Sequence, residues 1–208
     1  MSPASRPLIL ASRSPRRREL LSEAGYVFEV IVPHESAECG MCSGESPADL
    51  VARLARQKAA DVARQVEHGI VLGCDTVCEL DGQILGKPTN EEHARRMLRA
   101  LSGREHHVLS GVCLWLCPED ASTVGVDVTR LRMDTLNAKQ IEDYIASGLW
   151  DGKAGAFGYQ DRLGWVHIVE GSPSNVVGLP MELLSRMLAT IDNQAERTAG
   201  RRKPPERP

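Results

Sequence analysis

Apolar and polar positions switch between strand-like and helix-like periods along this chain, and those switches lay out its elements. Leu8-Ile-Leu-Ala11 is a short apolar run of the kind a buried strand uses. Just after it, Ser14 can cap a helix and Pro15 takes the first helical position, where its missing N–H costs nothing. Residues 26–32 alternate as a second strand, and 33–46 form a loop with glycines, acids and two cysteines. Ser46-Pro-Ala-Asp49 starts a helix over 48–67, its apolar face running through Leu50, Val51, Leu54, Ala55 and Ala59 before Gly69 ends it. Residues 70–80 form an apolar, β-branched strand interrupted by Asp75-Thr76, and Asp81-Gly82 folds it back onto 83–85 as a hairpin.

In the second half, Thr89 is placed to cap a helix over 91–101, which Ser102-Gly103 stops. Strands follow over 106–116 and 123–133, joined by a turn at 118–121. Thr135 or Asn137 caps a helix reaching 147, and 150–157 is glycine-rich. A strand over 164–170, a turn at 171–175 and a last helix over 180–191 complete the domain, which spans 1–191. Residues 192–208 are polar and proline-bearing, and are expected to be a disordered tail. Crossover helices mixed with hairpins imply an α/β fold, a mixed central sheet flanked by helices.

Charge changes the picture by exclusion. With 25 Lys and Arg against 28 Asp and Glu, the net charge of −3 supplies no general basic field for nucleic acid, and aromatics for base stacking are few. Anion binding must therefore come from cations placed locally. No apolar run approaches membrane-spanning length, and residues 1–7 lack the apolar core of a signal peptide, so the expectation is a cytoplasmic protein without a membrane partner. Cys39-x-x-Cys42 has metal or redox spacing but sits in a loop. Cys74 with Cys78, and Cys113 with Cys117, share strand faces and read as buried small hydrophobes, free thiols rather than zinc ligands or disulfides.

Candidate chemistry gathers at four places. Arg16, Arg17 and Arg18 crowd the first turn of the first helix, where cations oppose the helix dipole. Free N–H groups there, the hydroxyls of Ser12 and Ser14, and Arg16 facing inward would hold a phosphate chain, while Arg17 and Arg18 read as the solvated face. Asp75 breaks an apolar strand and must face a polar cleft, bind a metal or be paired with a nearby Arg or Lys, because a lone buried carboxylate costs several kcal/mol. Lys87, held between Gly86 and Pro88, would project from the hairpin toward the same region. Lys58 either points inward as a second phosphate-binding cation or snorkels to the surface. Finally, Lys153-Ala-Gly-Ala-Phe-Gly-Tyr-Gln160 lets backbone approach a planar ligand, with Gln160 offering donor and acceptor to a base edge. His106 and His107 read as structural, and no P-loop, HExxH or Ser–His–Asp order is present.

Taken in order, Leu8-Ile-Leu-Ala-Ser-x-Ser-Pro-Arg-Arg-x-Glu-Leu-Leu21, Gly73-Cys-Asp-Thr-Val77, Gly86-Lys-Pro88, Leu101-Ser-Gly103, Lys153-Ala-Gly-Ala-Phe-Gly158 and Val177-Gly-Leu-Pro180 resemble the Maf family over residues 7–188. The resemblance implies a nucleoside triphosphate pyrophosphatase, historically linked to septum formation. It implies an elongated, inosine triphosphatase-like α/β fold with two lobes around a cleft, a homodimer, and a divalent metal, Mg²⁺ ahead of Mn²⁺ or Co²⁺. It makes Asp75 the proton acceptor, with Lys87 beside it. Ser12, Arg16, Lys58, Thr76 and Gln160 become substrate-binding residues, with Glu35 and Asp75 as metal ligands. Asp-Thr at 75–76 together with the later Lys-Ala-Gly-Ala-aromatic-Gly-x-Gln resembles the branch acting on dTTP and UTP rather than the branch acting on 7-methyl-GTP. On this reading Asp75 deprotonates the water that attacks the α-phosphorus, and Gln160 reads a pyrimidine in a cleft too shallow for a purine. The rivals are the 7-methyl-GTP reaction and a non-catalytic, nucleotide-binding regulator of cell division. Two departures stand out. Pro33-His-Glu-Ser-Ala-Glu38 replaces the usual acidic pair and leaves Glu35 and Glu38 as alternatives, and Asp161 replaces the usual glycine after the glutamine.

Overall fold

The computed structural model describes residues 6–35 and 44–200, with side chains to 193. The strands are β1 (Leu8–Ala11), β2 (Phe28–Val30), β3 (Gly69–Leu80), β4 (Gln83–Leu85), β5 (Glu105–Cys117), β6 (Ala121–Met133) and β7 (Val166–Glu170). The helices are α1 (Pro15–Glu23), α2 (Pro47–Ala63), α3 (Glu91–Leu101), α4 (Ala138–Ala146), α5 (Pro173–Val177) and α6 (Met181–Gly200). These seven strands of the described residues form one mixed sheet in the order β2-β1-β3-β5-β6-β7, with β4 on β3 beside that path. β1 runs parallel to β2 and β3, and every other pair is antiparallel.

On one face the long ribbon of β3, β5 and β6 carries a core toward each end, while α2 packs over Val71 and Val77 on the other. Ile70, Leu72 and Cys74 of β3 pack with β1, α1 and α6, whereas Cys78 and Leu80 pack with α3, α4, Phe157 and Trp165. Residues 75–77 fall between these lobes. β1 pairs with β3 only at 70–73, and β4 only at 78–80, so among the described residues 74–77 have β5 on one side and no strand on the other. This gap lets neighbouring residues that point to opposite faces, Asp75 and Thr76, open on one space.

α2 lies against the sheet at van der Waals limit. A Cβ on Gly73 would stand 2.1 Å from the Ala55 carbonyl oxygen, and one on Gly111 2.2 Å from that of Val51. Only glycine admits the helix backbone this close, and the approach is what carries Lys58 down to the strand.

Several boundaries differ from the sequence reading. α2 stops at Ala63, because tight turns from Gln65 N to Val62 O and Val66 N to Ala63 O bring the chain round for Ile70 N to reach Pro7 O. β2 keeps three residues of the seven in 26–32, being an exposed edge with one neighbour. Asn90, not Thr89, caps α3 by accepting from His93 N at 2.8 Å. Asn137 rather than Thr135 caps α4, in a full capping box with Gln140. The turn expected at 171–175 is the short helix α5, capped by Ser172 with Pro173 at its start, a signal present in the sequence but read as a turn. β7 starts at Val166, and α6 continues past Ile191 to Gly200; the rest of the expected tail, 201–208, lies outside the described residues, as do Cys39 and Cys42. Cys74, Cys78, Cys113 and Cys117 are buried free thiols, as anticipated. Burial pushes all four thiols up, Cys113 to about 12, which keeps them neutral and unreactive.

Candidate active site

Between the lobes lies a cavity of about 450 Å³, lined by residues from β1–α1, α2, β3, the β4–α3 loop, the 151–160 loop and α5. Its wall includes Ser12, Arg16, Lys58, Asp75, Thr76, Lys87 and Gln160, so seven of the eight anticipated site residues meet here. Asp75, on the α2 side of β3, accepts a hydrogen bond from Lys58 Nζ at 2.6 Å through Oδ1. Lys58 is inward and buried, not snorkelling, because its neighbours Ala55 and Ala59 press α2 onto Gly73. Asp75 Oδ2 has no hydrogen-bond partner among the described residues, which leaves one carboxylate oxygen available to the cavity.

Arg17 corrects the sequence reading. It was expected on the solvated face of α1, yet it is buried and holds three segments together. Its Nε donates to Gly178 O at 2.8 Å, Nη1 to Ser12 Oγ at 3.1 Å and Nη2 to Thr76 Oγ1 at 3.2 Å. The Thr76 hydroxyl also meets Ser110 Oγ at 2.8 Å. A planar guanidinium suits such a junction, since its donors are fixed in one fork. Helical periodicity could not separate Arg17 from Arg18, which is exposed as expected; the absent clue was the carbonyl of Gly178, distant in sequence.

Arg16 lines the cavity half-buried, and its Nη2 donates to Gly152 O at 3.0 Å. Burial, and then the adjacent Arg17 charge, lowers its pKa from the ordinary value. Both causes disfavour a bare cation, and an anion in the cavity would relieve both. Lys87 reaches the cavity from the β4–α3 loop, exposed and without a partner among the described residues. Among the described lining residues, six cationic side chains (Arg13, Arg16, Arg17, Lys58, Lys87 and Lys153) stand beside two carboxylates, Asp75 and Asp151. A chain with net charge −3 has thus concentrated positive charge in one place, as a polyanion site requires.

Lys153, not singled out as a site residue from the sequence, lines the same cavity, but its ammonium is bonded to Asp161. Gln160 is exposed and belongs to the wall shared with a second cavity of about 810 Å³, which Arg16, Tyr159 and Trp165 also line. Arg16, Gln160 and Val177 line both cavities.

Glu35 is not among the residues that line the cavity with Asp75. It is exposed, lies outside the cavity lining, and accepts from Arg13 at 3.1 Å. Glu38 lies outside the described residues. Among the described residues no group of three His, Cys, Asp or Glu could cage a metal. The donor set present, one carboxylate with a free oxygen in a cavity lined by cationic side chains, does fit Mg²⁺ in its usual manner, held by one or two carboxylates together with substrate phosphates and waters.

Comparison with known proteins agrees with this geometry. The family description "Maf-like protein" matches residues 7–191. A protein named dTTP/UTP pyrophosphatase from Rhodopirellula baltica is 52% identical over 197 residues, covering 94% of this chain and 87% of its own. Another of that name, from Dictyoglomus thermophilum, is 43% identical over 182 residues, covering 87% of this chain and 94% of its own. The solved structure of a HAM1 protein from Coxiella burnetii aligns with TM-score 0.51 at 17% identity, over 88% of this chain and 98% of that one, a likeness of fold. The motif order, the cleft they build and a family match across nearly the whole chain converge: this chain belongs to the Maf family.

Proposed function

We propose that the protein hydrolyses dTTP and UTP to the monophosphate and pyrophosphate. One observation carries the reading: a carboxylate in mid-strand shares a cavity with cations delivered by α1, α2 and the β4–α3 loop. The names of the R. baltica and D. thermophilum relatives support the substrate pair.

The residues divide the work by their chemistry. Lys58 orients the Asp75 carboxylate through Oδ1, and Oδ2 takes the proton of a water attacking the α-phosphorus. Arg16 and Lys87, with Lys58, neutralise the triphosphate and the charge that develops on the departing pyrophosphate. Ser12 and Thr76, fixed by Arg17, contribute hydroxyls to the wall, and Gln160 reads the base edge. A divalent ion, Mg²⁺ before Mn²⁺ or Co²⁺, held by Asp75 and phosphate oxygens, would supply further charge neutralisation. The same reading includes a homodimer in the cytoplasm with neither nucleic-acid nor membrane partner. No helix among the described residues is long and apolar enough to cross a membrane.

The test is pyrophosphate release from dTTP, UTP, CTP and 7-methyl-GTP, with and without chelator. Preference for dTTP and UTP, abolished by chelator, is expected. Preference for 7-methyl-GTP, or binding without turnover, would overturn the assignment in favour of the corresponding rival.

A further inference from the structure

We propose that Asp161 is a positioning residue that locks the 152–161 loop and so sets how firmly Gln160 grips the base; the proposal rests on the nucleotide reading above. The loop carries two single turns of 3-10 helix, Ala154–Ala156 and Tyr159–Asp161, and Gln160 is the middle residue of the second, directly before Asp161. It is exposed and makes no hydrogen bond of its own among the described residues, so its orientation depends on its neighbours.

The neighbour is unusually well held. Lys153 Nζ donates to Asp161 Oδ1 at 2.6 Å and to Oδ2 at 2.5 Å, with the two side chains only 9% and 6% exposed. Tyr144 Oη, from α4, donates to Asp161 Oδ2 at 2.7 Å. Tyr144 is itself fixed edge-on against Trp165, with ring centroids 5.4 Å apart. Burial and the adjacent Asp161 carboxylate push its phenol pKa up, so it stays a donor. The ion pair also needs Gly158: a Cβ there would stand 2.5 Å from Lys153 Nζ and 2.6 Å from Asp161 Oδ2. The bracket therefore closes the loop on itself and fastens it to α4.

That loop touches the phosphate-binding residues at its other end. Gly152 O accepts from Arg16, and Gly155 N donates to Gly86 O, next to Lys87. Asp161 also keeps the Lys153 ammonium, which lines the cavity, occupied by a carboxylate. Without that carboxylate, Gln160 loses its support while the phosphate cavity gains an available cation. Base recognition and phosphate binding should then separate, which a general loss of structure would not produce.

The experiment is steady-state pyrophosphate release from UTP and CTP by the full chain, with inorganic tripolyphosphate as a base-free competitive inhibitor. For Asp161→Asn, the UTP-over-CTP ratio of kcat/KM is expected to fall on the order of tenfold, through KM for UTP, with kcat within about threefold. The inhibition constant of tripolyphosphate should stay the same or tighten. Tyr144→Phe keeps the ion pair and protects the test against misfolding; its ratio should move the same way by about threefold, the worth of one hydrogen bond. An unchanged ratio in either folded variant, or tripolyphosphate weakening in step with UTP, overturns the proposal. A wild-type protein that releases no pyrophosphate from UTP overturns the nucleotide reading itself, and is seen before any variant is made.

Discussion

In a Gly73→Ala variant the added Cβ would stand 2.1 Å from Ala55 O, 2.8 Å from Ala59 N and 2.9 Å from Ala59 Cβ. The first two are backbone atoms of α2, so no side-chain rotation relieves them. Bringing the closest contact back to ordinary separation requires α2 to retreat by roughly 1 Å. Forced overpacking of this kind costs about 1–3 kcal/mol, and two backbone clashes place it at the upper end. For a chain of this size that lowers Tm by roughly 6–12 °C. The functional consequence is larger, because Lys58 lies between the two displaced residues and its Nζ is 2.6 Å from Asp75. A misplacement of about 1 Å at a reacting group can cost on the order of a hundredfold in rate. The assay pairs thermal unfolding with kcat/KM for pyrophosphate release. Gly125→Ala is the control: its Cβ would meet Leu183 Cδ1 and Met187 Sδ at 3.1 Å, flexible side-chain ends on α6. That variant should lose less than about 1 kcal/mol and keep its activity. A Gly73→Ala protein with unchanged Tm and unchanged kcat/KM would refute the claim that helix–strand contact at Gly73 places Lys58.

Three further outcomes follow from contacts elsewhere in the molecule. Asp75→Asn should lower kcat by about a hundredfold or more. It should also destabilise the fold measurably, because the charge-assisted hydrogen bond from Lys58 Nζ at 2.6 Å is lost; retained turnover would remove Asp75 from the role of base. Arg17→Lys should lower Tm and raise KM, since one ammonium cannot serve Ser12, Thr76 and Gly178 together; the loss should be about 1–3 kcal/mol by denaturant titration, and a neutral result would refute the junction. Burial lowers the His106 pKa from 6.5 to about 4, so the folded state holds it neutral while the unfolded chain takes up a proton below pH 6.5. Its contribution is present above pH 6.5 and lost as pH falls toward 4, roughly 3 kcal/mol in all. His106→Leu should flatten that part of the stability profile, and an equal acid loss in both proteins would count against it.

What could be read directly were the elements whose causes are local. Ser14-Pro15 and Ser46-Pro47 cap α1 and α2, Asp81-Gly82 closes the β3–β4 hairpin, and continuous apolar runs mark the buried lengths of β3 and β5. Asp75 announced itself because a carboxylate in an apolar strand needs a reason, and Lys87 because glycine and proline fix the backbone around it. The ordered motifs then identified the family. Tertiary structure decided which partner each charge meets. Arg17 turned inward because Gly178 O, 161 residues away, stands over α1. Glu35 pairs with Arg13 and does not join the cavity lining. Asp161, which the sequence marked only as a departure from pattern, became a buried partner for Lys153 and Tyr144. Periodicity reports which face of an element is apolar, but an ion pair depends on two segments arriving at one point, and that is set only when the whole sheet has closed around its gap at residues 74–77.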